Sequence, residues 1–307
     1  MNIPFYVTAS VVVVAAIAAM AIPITLARAS RRAALPVNVA AFVGLALGAG
    51  FVLTTALAAA GVYELALGEV VPAVSLGLLA VLAGAGLAIL FSPRLRRVLD
   101  HPAAQQGVIA LQSWRIEGAA FLVLMVLGQL PPLFALPAGL GDLFVGLTAP
   151  FVARMLLRPG ARRWAIAWNL FGLADLAVAV GLGVTTTPPT QLFFTTPTSV
   201  AITAFPLAII PTFLVPLSIM LHLVSLRYLF SAAARAGPSE KTPWTNNQPV
   251  IVERHLTKAA LCLITEIEYH GHPHRPRAVH RRRINTWLRF SLEGDDLHCR
   301  FPARHRH

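Results

Sequence analysis

The sequence predicts an all-α polytopic membrane bundle of about seven transmembrane helices, with the N-terminus outside and the C-terminus inside. Three observations carry that reading. The 307 residues are 56% hydrophobic and only 12% charged, with a mean hydropathy of +0.68, whereas a soluble domain carries about twice that charged fraction. The apolar residues come in blocks of about 20 or more, the length that crosses a hydrocarbon core. Charge is also segregated: residues 1–237 hold thirteen arginines and no lysine, and twelve of those arginines lie at or near segment ends.

Span 1 (residues 4–27) carries no charge before Arg28. It lacks the positive n-region of a signal peptide and is too long for an h-region, so it reads as the first span, although Ala27-Arg28-Ala29 loosely mimics a cleavage site. Span 2 (36–60) contains Gly44-Leu45-Ala46-Leu47-Gly48, a GxxxG helix-contact motif. Span 3 (70–91) carries no charge in its apolar run. Span 4 (108–130) holds Arg115 and Glu117. Two positions apart on a helix is about 200°, so these side chains face opposite ways. Arg115 lies close enough to the cytoplasmic end to snorkel, while Glu117, slightly deeper, points inward; in the blander reading both belong to the helix's entry turn.

Spans 5 (133–157) and 6 (164–184) contain near copies of one segment, Gly139-Leu140-Gly141-Asp142-Leu143 and Gly172-Leu173-Ala174-Asp175-Leu176. A glycine precedes each acid by three residues, and a small residue, Gly146 or Ala179, follows it by four. On a helix these share a face, so each carboxylate lies on a seam of small residues that lets helices approach closely. Asp142 is nine residues from Leu133 and Asp175 eleven from Trp164, about 14 and 16 Å at helical rise, so both reach the midplane. An ionisable group at that depth marks a functional site by default. Either the two acids share a cavity, or each is satisfied by its own neighbour. If they meet, one stays protonated or a cation lies between them, and the internal candidate for that cation is Arg115.

Span 7 (200–229) carries Pro206, Pro211 and Pro216, then His222 and Arg227. The prolines predict kinks. His222 is either a structural hydrogen bonder or a proton carrier, and Arg227 belongs at the interface. Asn169 is one of few amides in the membrane part and reads as a ligand or a helix-contact residue. Trp114, Trp164 and Trp168 fit interface anchoring.

The joints alternate. Arg28, Arg31 and Arg32 follow span 1; Arg94, Arg96 and Arg97 follow span 3; Arg154, Arg158, Arg162 and Arg163 separate spans 5 and 6; Arg227 and Arg235 close span 7. The other joints hold Glu64 and Glu69, Pro131-Pro132, and the uncharged Thr185–Ser199 loop, without a basic residue. The positive-inside rule makes the arginine-bearing joints cytoplasmic. From residue 237 the composition changes: both lysines, both cysteines (Cys262 and Cys299) and most histidines appear there, including His270, His272, His274 and His280 beside Arg281–Arg283. That tail reads as basic, His-rich, disordered and cytoplasmic. A zinc site would need a second ligand cluster.

Several function classes drop out. The charge of +12 orients helices rather than tracking phosphates, so nucleic acid is not a partner. A retinal Schiff base needs a lysine in the last span, and none precedes Lys241. No G-x-S-x-G is present, and His222 is the one histidine inside a predicted span, which leaves serine and metal hydrolases without their residues. Gly139-Leu140-Gly141-Asp142 spells the GxGD motif and so resembles intramembrane aspartyl proteases, which implies Asp142 and Asp175 as a catalytic pair. In that family the partner aspartate comes before the motif, whereas Asp175 follows it, and the Pro-Ala-Leu element is missing. A faint parallel repeat, Pro23–Arg28 ending span 1 and Pro150–Arg154 ending span 5, with Asn38 and Asn169 opening the next spans, is a transporter feature.

Residues 108–229 as a whole resemble an uncharacterised group of bacterial multi-spanning membrane proteins. The likeness lies in Trp114-Arg115-Ile116-Glu117-Gly118, Ala138-Gly139-Leu140-Gly141-Asp142 with Gly146 and Pro150, Asn169 with Asp175-Leu176, and Pro211 with His222-Leu223; it implies no activity. The sequence thus leads to a multi-pass protein of a bacterial inner membrane. Spans 4–7 enclose a polar cavity for a small-molecule or proton-linked transporter or a ligand sensor. Its ligand or proton site is Glu117, Asp142, Asn169, Asp175 and His222, with Arg115 as charge partner. A GxGD-like protease and a non-catalytic assembly subunit are the rival readings. The lipid bilayer, a small-molecule or ion substrate and a homo-oligomer are the partners to test; no cofactor or metal is expected.

Overall fold

A computed structural model describes residues 3–65, 73–158, 160–235, 289–293 and 296–300. Seven helical stretches are long and apolar enough to cross a membrane: Phe5–Arg32, Asn38–Ala59, Ala73–Phe91, Pro102–Val126, Pro132–Met155, Arg162–Thr185 and Ile210–Ser231. The all-α, seven-span expectation holds for the unit formed by residues 1–235. The first three spans are α1 (Phe5–Arg32), α2 (Asn38–Ala59) and α3 (Ala73–Phe91), followed by a short elbow helix, α4 (Pro93–Leu99).

The fourth span is composite: α5 (Pro102–Leu111), a 3-10 segment (Gln112–Gly118) and α6 (Ala119–Val126). It starts six residues earlier than hydropathy suggested because local caps dictate the start. Pro102 takes the first helical position, and the His101 ring Nδ1 accepts the Ala103 amide at 3.1 Å. Ser92 caps α4 in the same way, accepting the Leu95 amide at 3.2 Å ahead of Pro93. The elbow and span 4 are then tied by the buried Gln105, whose amide donates to the Leu99 carbonyl at 2.6 Å.

Spans five and six are α7 (Pro132–Met155) and α8 (Arg162–Thr185). Their joint turns at Gly160, whose φ of +77° is left-handed and suits a residue without Cβ. The last span begins at Ile210, ten residues later than expected. Ahead of it lie a 3-10 turn (Ser199–Thr203) and extended backbone at Ala204, so Pro206 is outside the span and not one of its kinks. Pro211 instead opens a π turn (Ile210–Leu214) that leads into α9 (Val215–Arg235), a wide turn that absorbs the bond a proline removes.

This last span is the axis of the bundle, with Phe213, His222 and Ser225 almost wholly buried. Around it, α1 presents Val7, Val11, Ala15, Ala18, Ile22 and Leu26 at helical spacing. In contrast, α2 buries only Ala40, Thr54 and Ala58, and α3 only Val74, so these two present apolar faces to lipid. The arginine-bearing joints gather at one end of the bundle. Arg162 donates to the Leu229 carbonyl at 2.7 Å, Arg227 pairs with Asp100, and Arg32, Gln106, Leu157 and Tyr228 line one crevice. In the second unit (236–307), two antiparallel strands, β1 (Arg289–Glu293) and β2 (Asp296–Arg300), form a hairpin with Arg289 opposite Arg300. The rest of the tail expected to be disordered, and Glu69, lie outside the described residues.

Candidate functional site: an arginine shared by two aspartates

Asp142 and Asp175 each stand within two residues of the midpoint of a 24-residue helix. Arg115 is one residue past the midpoint of the fourth span. These three side chains meet. The Arg115 Nε donates to Asp142 Oδ1 at 2.6 Å, and its Nη2 donates to Asp175 Oδ2. The third nitrogen, Nη1, donates to the Gly172 carbonyl at 3.3 Å and faces His222 Nε2 at 3.2 Å. Side-chain exposures are 2% for Arg115, 12% for Asp142 and 7% for Asp175, so water does not screen the cluster.

A guanidinium has no acceptor, so His222 Nε2 must accept. The imidazole is then neutral, with its proton on Nδ1, which donates to Asn169 Oδ1 at 2.9 Å. That in turn orients the Asn169 amide, whose Nδ2 donates to the Ala165 carbonyl at 2.7 Å and to Ser225 Oγ at 3.2 Å. A continuous chain of hydrogen bonds thus runs from Asp142 through Arg115, His222 and Asn169 to Ser225. It crosses four of the seven spans.

Glycines make the meeting possible. A Cβ on Gly146 would stand 2.6 Å from the Ile116 amide nitrogen, so α7 lies directly on the 3-10 backbone. A Cβ on Gly139 would come within 2.7 Å of Leu122, and one on Gly118 would overlap Asp142. On α8, a Cβ at Gly172 would overlap the His222 ring, and one at Gly141 of α7 would overlap the Asp175 carboxylate. The small-residue seams therefore exist: that of α7 lies on span four, while on α8 Gly172 lies on span seven and Asp175 on Gly141 of α7.

Three expectations are corrected. Arg115 does not snorkel, nor do it and Glu117 form an entry turn, because the span begins at Pro102 and puts Arg115 at mid-depth. Trp114 and Trp168 are not interface anchors: both are buried, and their indole N–H groups donate to Ser218 Oγ and Thr148 Oγ1, each at 2.9 Å. Trp164 is 59% exposed with Arg163 over its ring, as an anchor would be. Glu117 is not bonded to Arg115, although the two line one small cavity. It accepts from Ser10 of α1 at 2.8 Å, so it stands apart from the ion cluster while lining the same small cavity as Asp142.

That cavity, about 20 Å³, is bounded by Trp114, Arg115, Glu117, Asp142, Leu214 and Ser218, room for about one water. A second cavity of about 80 Å³ lies on the other side of Asp142. It reaches Thr187 and Thr203 at the arginine-free end, and its walls are apolar, including Phe121, Phe134 and Ala179. Asp142, Leu176, Ile210 and Val215 line both spaces, so Asp142 is part of the septum between them. Residues that the sequence did not single out complete the site: Ser10, Ser218, Ser225 and Gln112, whose amide donates to the Ser218 carbonyl at 2.9 Å while its own Oε1 is buried without a partner. Nothing in their own segments marks them: each serine is a small polar residue among apolar neighbours, and Gln112 is uncharged beside Ser113 and Arg115. Among the described residues, no group of three or more His, Cys, Asp or Glu is placed to hold a metal ion.

Residues 71–230 match the family model described as a domain of unknown function, DUF8737, and the chain belongs to that family. No curated protein and no solved structure matches the chain.

Proposed function

We propose that this family member is a proton-linked transporter of a small solute, multi-pass in a bacterial inner membrane, with its arginine-bearing end in the cytoplasm. One observation carries the reading: a guanidinium at mid-span shared by aspartates from two consecutive helices. One cation against two carboxylates leaves the cluster a positive charge short, and a proton or a cationic group of the solute restores the balance in a medium where net charge is costly. The cavity from the arginine-free end stops at Asp142, which gives that charge a route inward. His222, already neutral and bonded to both Arg115 and Asn169, is the group that passes a proton onward when Arg115 moves.

The same geometry speaks against the aspartyl-protease reading. Such a dyad shares a proton and holds a water between its carboxyls, and here Arg115 occupies the space between them. An assembly subunit remains a separate class, which the test distinguishes.

The test is solute-driven proton movement into vesicles that contain the purified protein and a trapped pH-sensitive dye, screened over small amines, acids and sugars. Asp142→Asn and Asp175→Asn should each lower the signal by about tenfold, the equivalent of one charge-assisted bond, with membrane insertion unchanged. Variants that both insert and behave as the parent with every responding solute would sink the proposal. Loss of partner co-purification with no solute signal in either form would point to the assembly class instead.

A further inference from the structure

A much larger cavity lies away from the ion cluster. It measures about 600 Å³ and separates α2 from α3, with Val39, Phe42, Val81, Gly84, Phe213 and Leu221 among its walls. It exists because α2 leans on α1 while α3 leans on the π turn and α9, and the two helices scarcely touch each other. The walls are almost entirely apolar, so the space has nothing to offer a polar solute.

Its dimensions indicate what fills it. Along α2 the lining runs from Val39 to Gly50, and along α3 from Val81 to Phe91, about 15–16 Å in each case at helical rise. That is half of a hydrocarbon core of about 30 Å, the depth of a single leaflet. The cleft therefore spans the leaflet at the arginine-bearing end and stops at the midplane beneath Phe213. Ser92, Leu95 and Leu99, of the elbow and its cap, line its arginine-bearing end.

Charge at that end is mostly positive, and its one nearby acid, Asp100 at the end of the elbow, is taken by Arg227. Arg94, Arg96 and Arg97 stand on the elbow, and Arg28, Arg31 and Arg32 on the end of α1, ahead of the joint that leads to Val39. Arg28 follows the lining residue Thr25 by one helical turn. Arg96 donates to the Leu90 carbonyl at 2.6 Å and so closes the end of α3. Among the described residues, none of the other five is paired with a carboxylate. Basic residues over an apolar slot between spans suit an anionic lipid headgroup.

We infer that this cleft is a binding site for one anionic phospholipid, with an acyl chain between α2 and α3 and the headgroup at the arginines of the elbow and the end of α1. Phe213 and Leu221 belong to the span that carries His222, so the lipid packs against the span that carries the site's histidine. The inference is independent of what the ion cluster transports.

Native mass spectrometry of the detergent-solubilised full chain, titrated with phosphatidylglycerol or phosphatidylcholine of identical acyl chains, tests it. The parent should bind one phosphatidylglycerol at least about fivefold more tightly than phosphatidylcholine. The triple variant Arg28→Gln/Arg94→Gln/Arg97→Gln should lose that preference and keep the weaker phosphatidylcholine binding. A Cβ at Gly84 meets nothing within 4 Å, and the same holds at Gly86, which does not line the cleft. Gly84→Leu should therefore fill the slot and weaken both lipids, while Gly86→Leu binds as the parent does. Equal affinity for the two lipids in the parent, or equal behaviour of Gly84→Leu and Gly86→Leu, would overturn the inference.

Discussion

At the scale of single residues, Arg115 is the side chain on which the centre depends. Removing one partner of a buried ion pair leaves an uncompensated charge and costs roughly 3–5 kcal/mol. Arg115→Gln should therefore lower thermal stability in detergent by an amount of that order. The double variant Arg115→Gln/Asp175→Asn should recover part of the loss, because only one acid is then left unpaired. Strict additivity of the two substitutions, measured as a double-mutant cycle, would mean the Arg115–Asp175 bond carries no coupling. Arg115, Asp142 and Asp175 could be read from the sequence because charge is so scarce in their apolar runs that each one stands out. The Asn169–His222 bond and the Ser10–Glu117 bond span 53 and 107 residues, and no local pattern encodes such a pairing. The tryptophans misled for a related reason. Position near a segment end suggests an interface, but whether an indole faces lipid or a buried serine is decided by which helix lies opposite.

At the scale of elements, the fourth span shows what hydropathy misses. A window average sees apolar content and not caps, so it overlooked the start at Pro102. It is also blind to the change from α to 3-10 winding over Gln112–Gly118, where α7 lies on the backbone. That contact is testable. A Cβ at Gly146 would press on the Ile116 amide nitrogen, a backbone atom that cannot give way, whereas one at Gly181 of α8 meets nothing within 4 Å. Gly146→Val should abolish the monodisperse folded peak in size-exclusion chromatography, and Gly181→Val should leave it intact. Equal recovery of the two would show that α7 and the 3-10 segment have room to separate.

At the scale of the whole molecule, the number and order of the seven spans were legible, though not the starts of the fourth and last, because apolar length is a property of the chain that tertiary contacts do not override. The orientation proposed from the arginine distribution is open to measurement. In a Cys262→Ser/Cys299→Ser background, a cysteine placed in the Thr185–Ser199 loop should react with an impermeant maleimide on intact cells, and one at Arg162 should not. The opposite labelling would invert the topology. The ion cluster has a further consequence, for how the protein is made. Arg115 precedes Asp142 by 27 residues and Asp175 by 60, so during synthesis the cation enters the membrane first and its two counter-charges arrive one hairpin later. A lone arginine or aspartate at the centre of an inserting helix costs about 2.5–3.5 kcal/mol. A nascent chain paused after Val126 therefore carries that cost unrelieved, and the arrival of α7 and α8 is what fixes the fourth span at its final depth.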